Sequence, residues 1–314
     1  MAASTCRRPT AGRRTAAGAA AVLLMLAAAC GNGEEKAASS GKPELVAAFY
    51  PIEFAARRLA GGAADVSTLT PAGAEPHDLE LKPSDVRRLQ EADLVLFLGG
   101  GFQPALDDAV GKLPDQSKVV DLLAGLDLRP PADGEDLAAD PHVWLSPAMM
   151  VEMVDATAGA LAASLPAQKE QIRQRASALR DELEQLDTEF ETELDTCERR
   201  QIFTSHAAFG YLADRYGLKQ IPITGLSPEA EPSSARLREI AEQAAGGKAT
   251  TIFFETLVSP RVAESVARTV GAKTAVLDPI EGLTPEDEAA GADYFSVMRS
   301  NLAALKEALG CSQP

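Results

Sequence analysis

Residues 166–196 read PAQKEQIRQRASALRDELEQLDTEFETELDT. Leu179, Leu183, Leu186, Phe190 and Leu194 recur at helical spacing, and neither Pro nor Gly interrupts the run after its opening residue. About 30 residues of helix span roughly 45 Å. A single apolar stripe without sustained partner heptads predicts a spacer helix between two bodies rather than a coiled-coil arm.

On either side of this segment the chain repeats one rhythm. Before it, apolar runs at 45–50 (LVAAFY), 66–70, 94–98 (LVLFL) and 118–121 predict strands. They alternate with helical patterns at 52–61, 82–91 and 147–164. After it, strands are predicted at 201–204 (QIFT), 220–223, 251–254 (TIFF) and 274–277, with helices at 207–216, 233–245, 260–270 and 294–309. The alternation implies an α/β fold of two lobes, each a mainly parallel sheet flanked by helices, joined by one long rigid helix. The boundaries drawn from it are 44–165 for the first lobe, 166–197 for the connecting helix and 198–314 for the second lobe. In open α/β sheets ligands sit at strand ends, so two such lobes direct attention to one shared cleft.

The N-terminus reads as an address. Four arginines (Arg7, Arg8, Arg13, Arg14) and no acid precede a short apolar core, AAGAAAVLLMLAAA (16–29), which ends at Cys30. The core is too short to cross a bilayer comfortably but suits an export signal, predicted at 1–29. Small residues before a cysteine resemble a bacterial lipobox, with Ala27 where the best-known pattern has Leu. Cys30 is then the lipid anchor and residues 30–43 a flexible tether; an ordinary secretory signal with Cys30 incidental is the alternative. Cys197 and Cys311 remain, an even number in an exported chain, and form a disulfide candidate beside the alternative of two free thiols. The chain carries 46 acidic and 30 basic residues, a net charge of −16, and the arginines of the signal make the remainder more acidic still. Such a surface repels phosphate backbones and argues against nucleic-acid binding.

Histidine is rare: there are 3 in 314 residues. His77 lies in PAGAEPHDLE (71–80), His142 in DPHVWLSP (140–147) and His206 in FTSHAAF (203–209), each beside a predicted strand end or helix entry. Loops on a rigid scaffold are where binding groups are presented. Three imidazoles and one carboxylate make a tetrahedral site for a borderline metal. Their wide separation in sequence matches no local zinc-finger pattern.

Five segments in order, EPHDLELKPSDVRRLQEADLVLFLG (75–99), ADPHVWLSP (139–147), FTSHAAFGYLADRYGL (203–218), GLSPEAEPSSARLREI (225–240) and TIFFETLVSPRVAESVARTVGAKTAVLDPIEGL (251–283), resemble the zinc/manganese-type metal solute-binding lipoproteins of bacterial ABC importers. The resemblance spans about Leu45 to Cys311. It implies two lobes joined by a rigid helix with the metal between them, at His77, His142, His206 and Asp278. Glutamate often stands at the third position in manganese members, so His206 points to zinc over manganese. Some zinc members use a glutamate next to the first histidine, or water, as fourth ligand; here Pro76 occupies that adjacent place and Glu75 is one residue further away. Glu255, at the end of TIFFE, is either a partner orienting a ligand histidine or a cleft-rim carboxylate. Trp144 reads as packing beside His142. The long His-rich loop of many zinc members is replaced here by a short acidic one with Asp133, Glu135, Asp136 and Asp140.

The resemblance further implies a monomeric receptor on the outer face of the cell membrane, working with a membrane permease and a cytoplasmic ATPase. Two other classes remain beside it: an adhesin, and a zinc hydrolase with Glu75 or Glu255 as base. The hydrolase has no HExxH helix to support it.

Overall fold

The computed structural model describes residues 41–131 and 137–312. The signal segment, Cys30, most of the tether, and Asp133, Glu135 and Asp136 lie outside these residues. The first lobe is built on four parallel strands, β1 (Glu44–Ala47), β2 (Asp65–Thr68), β3 (Leu94–Phe97) and β4 (Val119–Asp121), in the order β2-β1-β3-β4. Helices α1 (Tyr50–Ala60), α2 (Pro83–Glu91), α3 (Pro104–Val110) and α4 (Pro147–Ser164) accompany them. The apolar run after Glu44 outlasts its strand because Ala48 and Phe49 stay buried while Pro51, early in α1, starts the helix.

Two elements escaped the apolar periodicity: α3 and, in the second lobe, α9 (Pro285–Ala290). Both are short helices that open on Pro after an irregular segment, and neither presents a long stripe.

The long helix α5 covers Lys169–Asp195, starting later than the pattern suggested because Pro166–Gln168 forms a 3-10 turn. It turns back from α4 at 120° and packs along it. Ile172, Ala176, Leu179, Leu183, Leu186, Phe190 and Leu194 are all buried. Replacing one of the central leucines by Ala would cost about 2–5 kcal/mol.

The polar face of α5 ties both lobes. Near its start Arg175 donates to the carbonyls of Leu59 and Ala60, and Arg58 of α1 pairs with Glu182. A side chain at Gly61 would collide with the Arg175 guanidinium at 2.3 Å, and φ there is +54°, so this helix end requires glycine. Further along, Asp187 takes Arg215 and Tyr216, Glu189 takes Arg299 and Glu193 takes Lys306.

The second lobe contains two parallel strand pairs, β5 (Gln201–Thr204) with β6 (Lys219–Pro222) and β7 (Thr251–Phe254) with β8 (Lys273–Val276); β5 lies beside β7. Around them are α6 (Gly210–Arg215), α7 (Ser234–Gly246), α8 (Arg261–Val270), α9 and α10 (Tyr294–Leu309). One large apolar core runs from the first sheet through α4 and α5 to α6 and α10. A smaller one, around Phe203, Ile221, Ile240, Ile252 and Val266, belongs to the second lobe alone. Cys197 and Cys311 are joined as a disulfide, closing the second lobe at the foot of α5. The described residues form one compact unit.

Candidate metal centre

The three histidines stand beyond the carboxyl ends of their strands. His77 follows β2, His142 stands in the loop between β4 and α4, and His206 follows β5 by two residues. Strand ends fix the backbone while the loops carry the side chains, so groups far apart in sequence reach one cleft. The Nε2 atoms of His77 and His142 lie 3.3 Å from Glu281 Oε1, and that of His206 lies 3.4 Å from it. The His142 and His206 Nε2 atoms are 3.3 Å apart. All four ligand atoms lie within 4.8 Å of one another. Four donors around an ion at about 2.0–2.1 Å define a tetrahedron whose edges are about 3.3–3.4 Å. Four of the six edges therefore have that length already.

Behind the imidazoles stand carboxylates. His142 Nδ1 donates to Asp140 Oδ1 at 2.8 Å, and His206 Nδ1 donates to Glu255 Oε1 at 2.7 Å. The same carboxylate oxygens accept the backbone N–H of His142 and of His206. A hydrogen held on Nδ1 leaves the Nε2 lone pair facing inward, the tautomer a metal needs. Glu255 thus stands behind His206, hydrogen-bonded to both its ring and its backbone. Asp140 plays the matching part for His142, hidden in a sequence where it was one acid among several.

Arg129 and Gly210 complete that corner. A Cβ at Gly210 would meet Arg129 Nε at 2.7 Å and Asp140 Oδ2 at 2.9 Å. Tyr211 donates to the Asp140 carbonyl and accepts the backbone N–H of Arg129, joining α6 to the first lobe. Trp144 is fully buried, packs 5.1 Å from the His142 ring, and donates to Pro279 O across the lobes.

Asp278 does not join the group. Its Oδ1 accepts the backbone N–H of Ile280 at 2.7 Å and its Oδ2 accepts the hydroxyl of Thr256 at 2.9 Å. Glu281, three residues on in the same VLDPIEGL motif, stands where the sequence reading had put Asp278. The turn between them is made at Ile280, whose φ is +56°. For a β-branched residue that conformation costs on the order of 1–3 kcal/mol and persists only where the surroundings enforce it. Two acids in one short motif were visible in the sequence; the reversal of the chain between them was not. Glu75 also stays outside, its carboxylate accepting the backbone N–H groups of His77 and Asp78.

Burial and pairing set the charges. Burial lowers the His77 pKa below its ordinary value, and Glu281 offsets only part of this. Burial also works against a charged His142 and His206. At His142 the hydrogen bonds to Asp140 and Glu281 outweigh it and raise the pKa. At His206 the charge and hydrogen bond of Glu255, with Glu281 beyond, raise it well above the ordinary value. Burial disfavours ionised Glu281, but the three imidazoles overcome that and hold its pKa well below the carboxylate range. Burial and the neighbouring Glu281 push Glu75 up to about 8. The centre is therefore one ionised carboxylate facing three imidazoles, a donor set of three nitrogens and one oxygen.

A family model described as zinc-uptake complex component A, periplasmic, matches residues 45–308. The chain belongs to this family. It is 37% identical over 282 residues to the zinc-binding lipoprotein AdcA of Streptococcus pneumoniae, covering 86% of this chain and 56% of that protein. This chain thus spans little more than half the length of the AdcA relatives. It is 35% identical over 280 residues to the high-affinity zinc uptake system protein ZnuA of Bacillus subtilis, covering 85% and 88%. Among solved structures it matches the Zn(II)-bound ZnuA-like domain of S. pneumoniae AdcA at a TM-score of 0.75, covering 86% of this chain and 99% of that one. The laminin-binding protein Lmb of Streptococcus agalactiae, described as having adhesin and metal-transporting activity, matches at a TM-score of 0.77 and 31% identity, covering 85% and 99%.

Proposed function

We propose that this chain is an extracytoplasmic receptor that binds zinc through His77, His142, His206 and Glu281 and presents it to the permease of an ABC importer powered by a cytoplasmic ATPase. The observation that carries this reading is the convergence of three Nε2 atoms on Glu281 Oε1 at 3.3–3.4 Å. Zinc is the cargo, and release restores its water shell on the far side. Nitrogen-rich donors favour zinc over manganese. With four protein donors in place there is no open coordination position for a reacting water, which argues against a hydrolase. In this reading Cys30 carries the lipid, residues 30–43 give reach from the membrane, and the chain acts as a monomer.

The test offers metal-free protein equal amounts of zinc and manganese and measures bound metal. The wild type should take up zinc, and His206→Glu should move the preference toward manganese. Preference of the wild type for manganese, or an unchanged preference in the variant, overturns the assignment of zinc. The likeness to Lmb favours a second role in adhesion. Binding of the zinc-loaded chain to immobilised laminin tests it, and a flat binding curve removes it.

A further inference from the structure

The short segment from Asp278 to Glu281 is held with unusual thoroughness. Asn301 of α10 grips Asp278 twice, accepting from its backbone N–H at 2.8 Å and donating to its carbonyl at 2.7 Å. The Asp278 carboxylate spans the turn to the Ile280 N–H and reaches back to Thr256. Trp144 of the first lobe donates to the carbonyl of Pro279 at 2.7 Å, and Tyr294 donates to the Trp144 carbonyl. Ile280, Tyr294 and Trp144 are fully buried, and Asn301 nearly so.

Among the described residues only Lys248 and Ile280 are non-glycine residues with positive φ, and Ile280 alone is β-branched. A left-handed isoleucine is not chosen by the chain locally. Here its N–H is held by Asp278 and its carbonyl leads into Glu281.

Thr256 follows Glu255, the residue that orients His206. One carboxylate thus touches the turn that carries one proposed ligand and the strand exit that orients another. We infer that Asp278 is a positioning residue: it locks the left-handed turn at Ile280 that aims Glu281 at the three imidazoles, and through Thr256 it keeps that turn in register with Glu255 and His206. The inference rests on the zinc reading, with Glu281 rather than Asp278 as the oxygen donor.

The experiment uses the full chain and three variants, Asp278→Asn, Asp278→Ala and Thr256→Val. Zinc affinity and release rate are measured, with X-ray absorption of the zinc-loaded forms. Asp278→Asn keeps an oxygen for the Ile280 N–H and should stay within about threefold of wild type, with the same three-nitrogen, one-oxygen shell. Asp278→Ala removes the brace and should weaken zinc by about 10–100-fold, mostly as faster release. Thr256→Val cuts only the link to Glu255 and should show a smaller loss of the same kind.

The inference is overturned if Asp278→Ala binds like wild type, if Asp278→Asn is as weak as Asp278→Ala, or if zinc in Asp278→Asn loses its oxygen neighbour. Should Asp278→Ala not fold, Thr256→Val decides, and wild-type release from it sinks the proposal. A wild type that takes up no zinc removes the functional reading and this one with it; a wild type that binds while the variants fail to separate removes this one alone.

Discussion

Each lobe contributes two of the proposed donors, but His77 in the first lobe is held by different means from the pair in the second. In the first lobe His77 rides on the loop after β2, its ring edge-on to Phe102 at 4.6 Å, and its side chain keeps 7% exposure. Among the described residues, no carboxylate hydrogen-bonds its Nδ1 as Asp140 and Glu255 do for His142 and His206. In the second lobe His206 and Glu281 are almost wholly buried, and Glu255, Thr256, Asp278 and Asn301 form a connected polar brace around them. The first lobe holds His77 by apolar packing beyond its four-stranded sheet, while its other histidine, His142, is braced by Asp140. The second lobe, with only paired strands and a smaller core of its own, positions by hydrogen bonds and charge. Packing tolerates adjustment of a loop, whereas a satisfied buried network has one geometry. His77 is therefore the least braced of the four proposed donors.

Loss of a donor should have the largest effect and should differ between lobes. Glu281→Ala removes the one carboxylate that, among the described residues, faces all three Nε2 atoms, and should weaken zinc by more than the 10–100-fold typical of a lost outer partner. His77→Ala should cost less and should act mainly on release rate. Zinc titration with stopped-flow release measures both, and equal losses would erase the distinction.

Next in size are the outer carboxylates. Glu255→Gln and Asp140→Asn should each weaken zinc by about 10–100-fold, whereas Glu75→Gln, which touches only backbone N–H groups, should change it little. A large effect of Glu75→Gln would show that the His77 loop depends on charge as well.

The pH response should also split. In the metal-free protein His206 keeps its proton well above its ordinary 6.5 and His77 loses its proton below it. Protonated His206 stabilises the empty fold; that contribution is complete below about 6.5 and fades as pH rises through the raised pKa. Zinc must displace this proton, so affinity should already be falling as pH drops toward 6.5, with His77 adding its share only at lower pH. Histidine NMR titration of the metal-free chain gives the order directly.

The smallest effect concerns the contact of the second lobe with the spine. Arg215 and Tyr216, outweighing the effect of burial, hold Asp187 below the usual carboxylate range. The stability it supplies is complete above about pH 4 and lost as pH falls through its depressed value. Asp187→Asn should cost about 1 kcal/mol at neutral pH, seen in urea unfolding, and nothing in strong acid.

Much of this was legible in the sequence for identifiable reasons. The α5 stripe is unbroken and every apolar residue in it faces the core, so periodicity and structure coincide. Histidines at strand ends could be read because parallel strands export their following loops to one edge. Glu281 could not, because the choice between it and Asp278 depends on one backbone dihedral at Ile280, fixed by tertiary bonds from Asn301 and Trp144. Asp140 escaped because an acid beside an acidic loop carries no local mark of a buried partner. The short helices α3 and α9 escaped because six or seven residues do not establish a period.

The bond between Cys197 and Cys311 joins residues 114 apart, and nearly the whole second lobe lies between them. Topologically that lobe is a closed covalent ring hung from the end of α5 by a single strand of chain. A protease that cuts one of its surface loops opens the ring without releasing a piece, so the donors His206 and Glu281 stay on one molecule. Clipped protein should run at full mass until reductant is added.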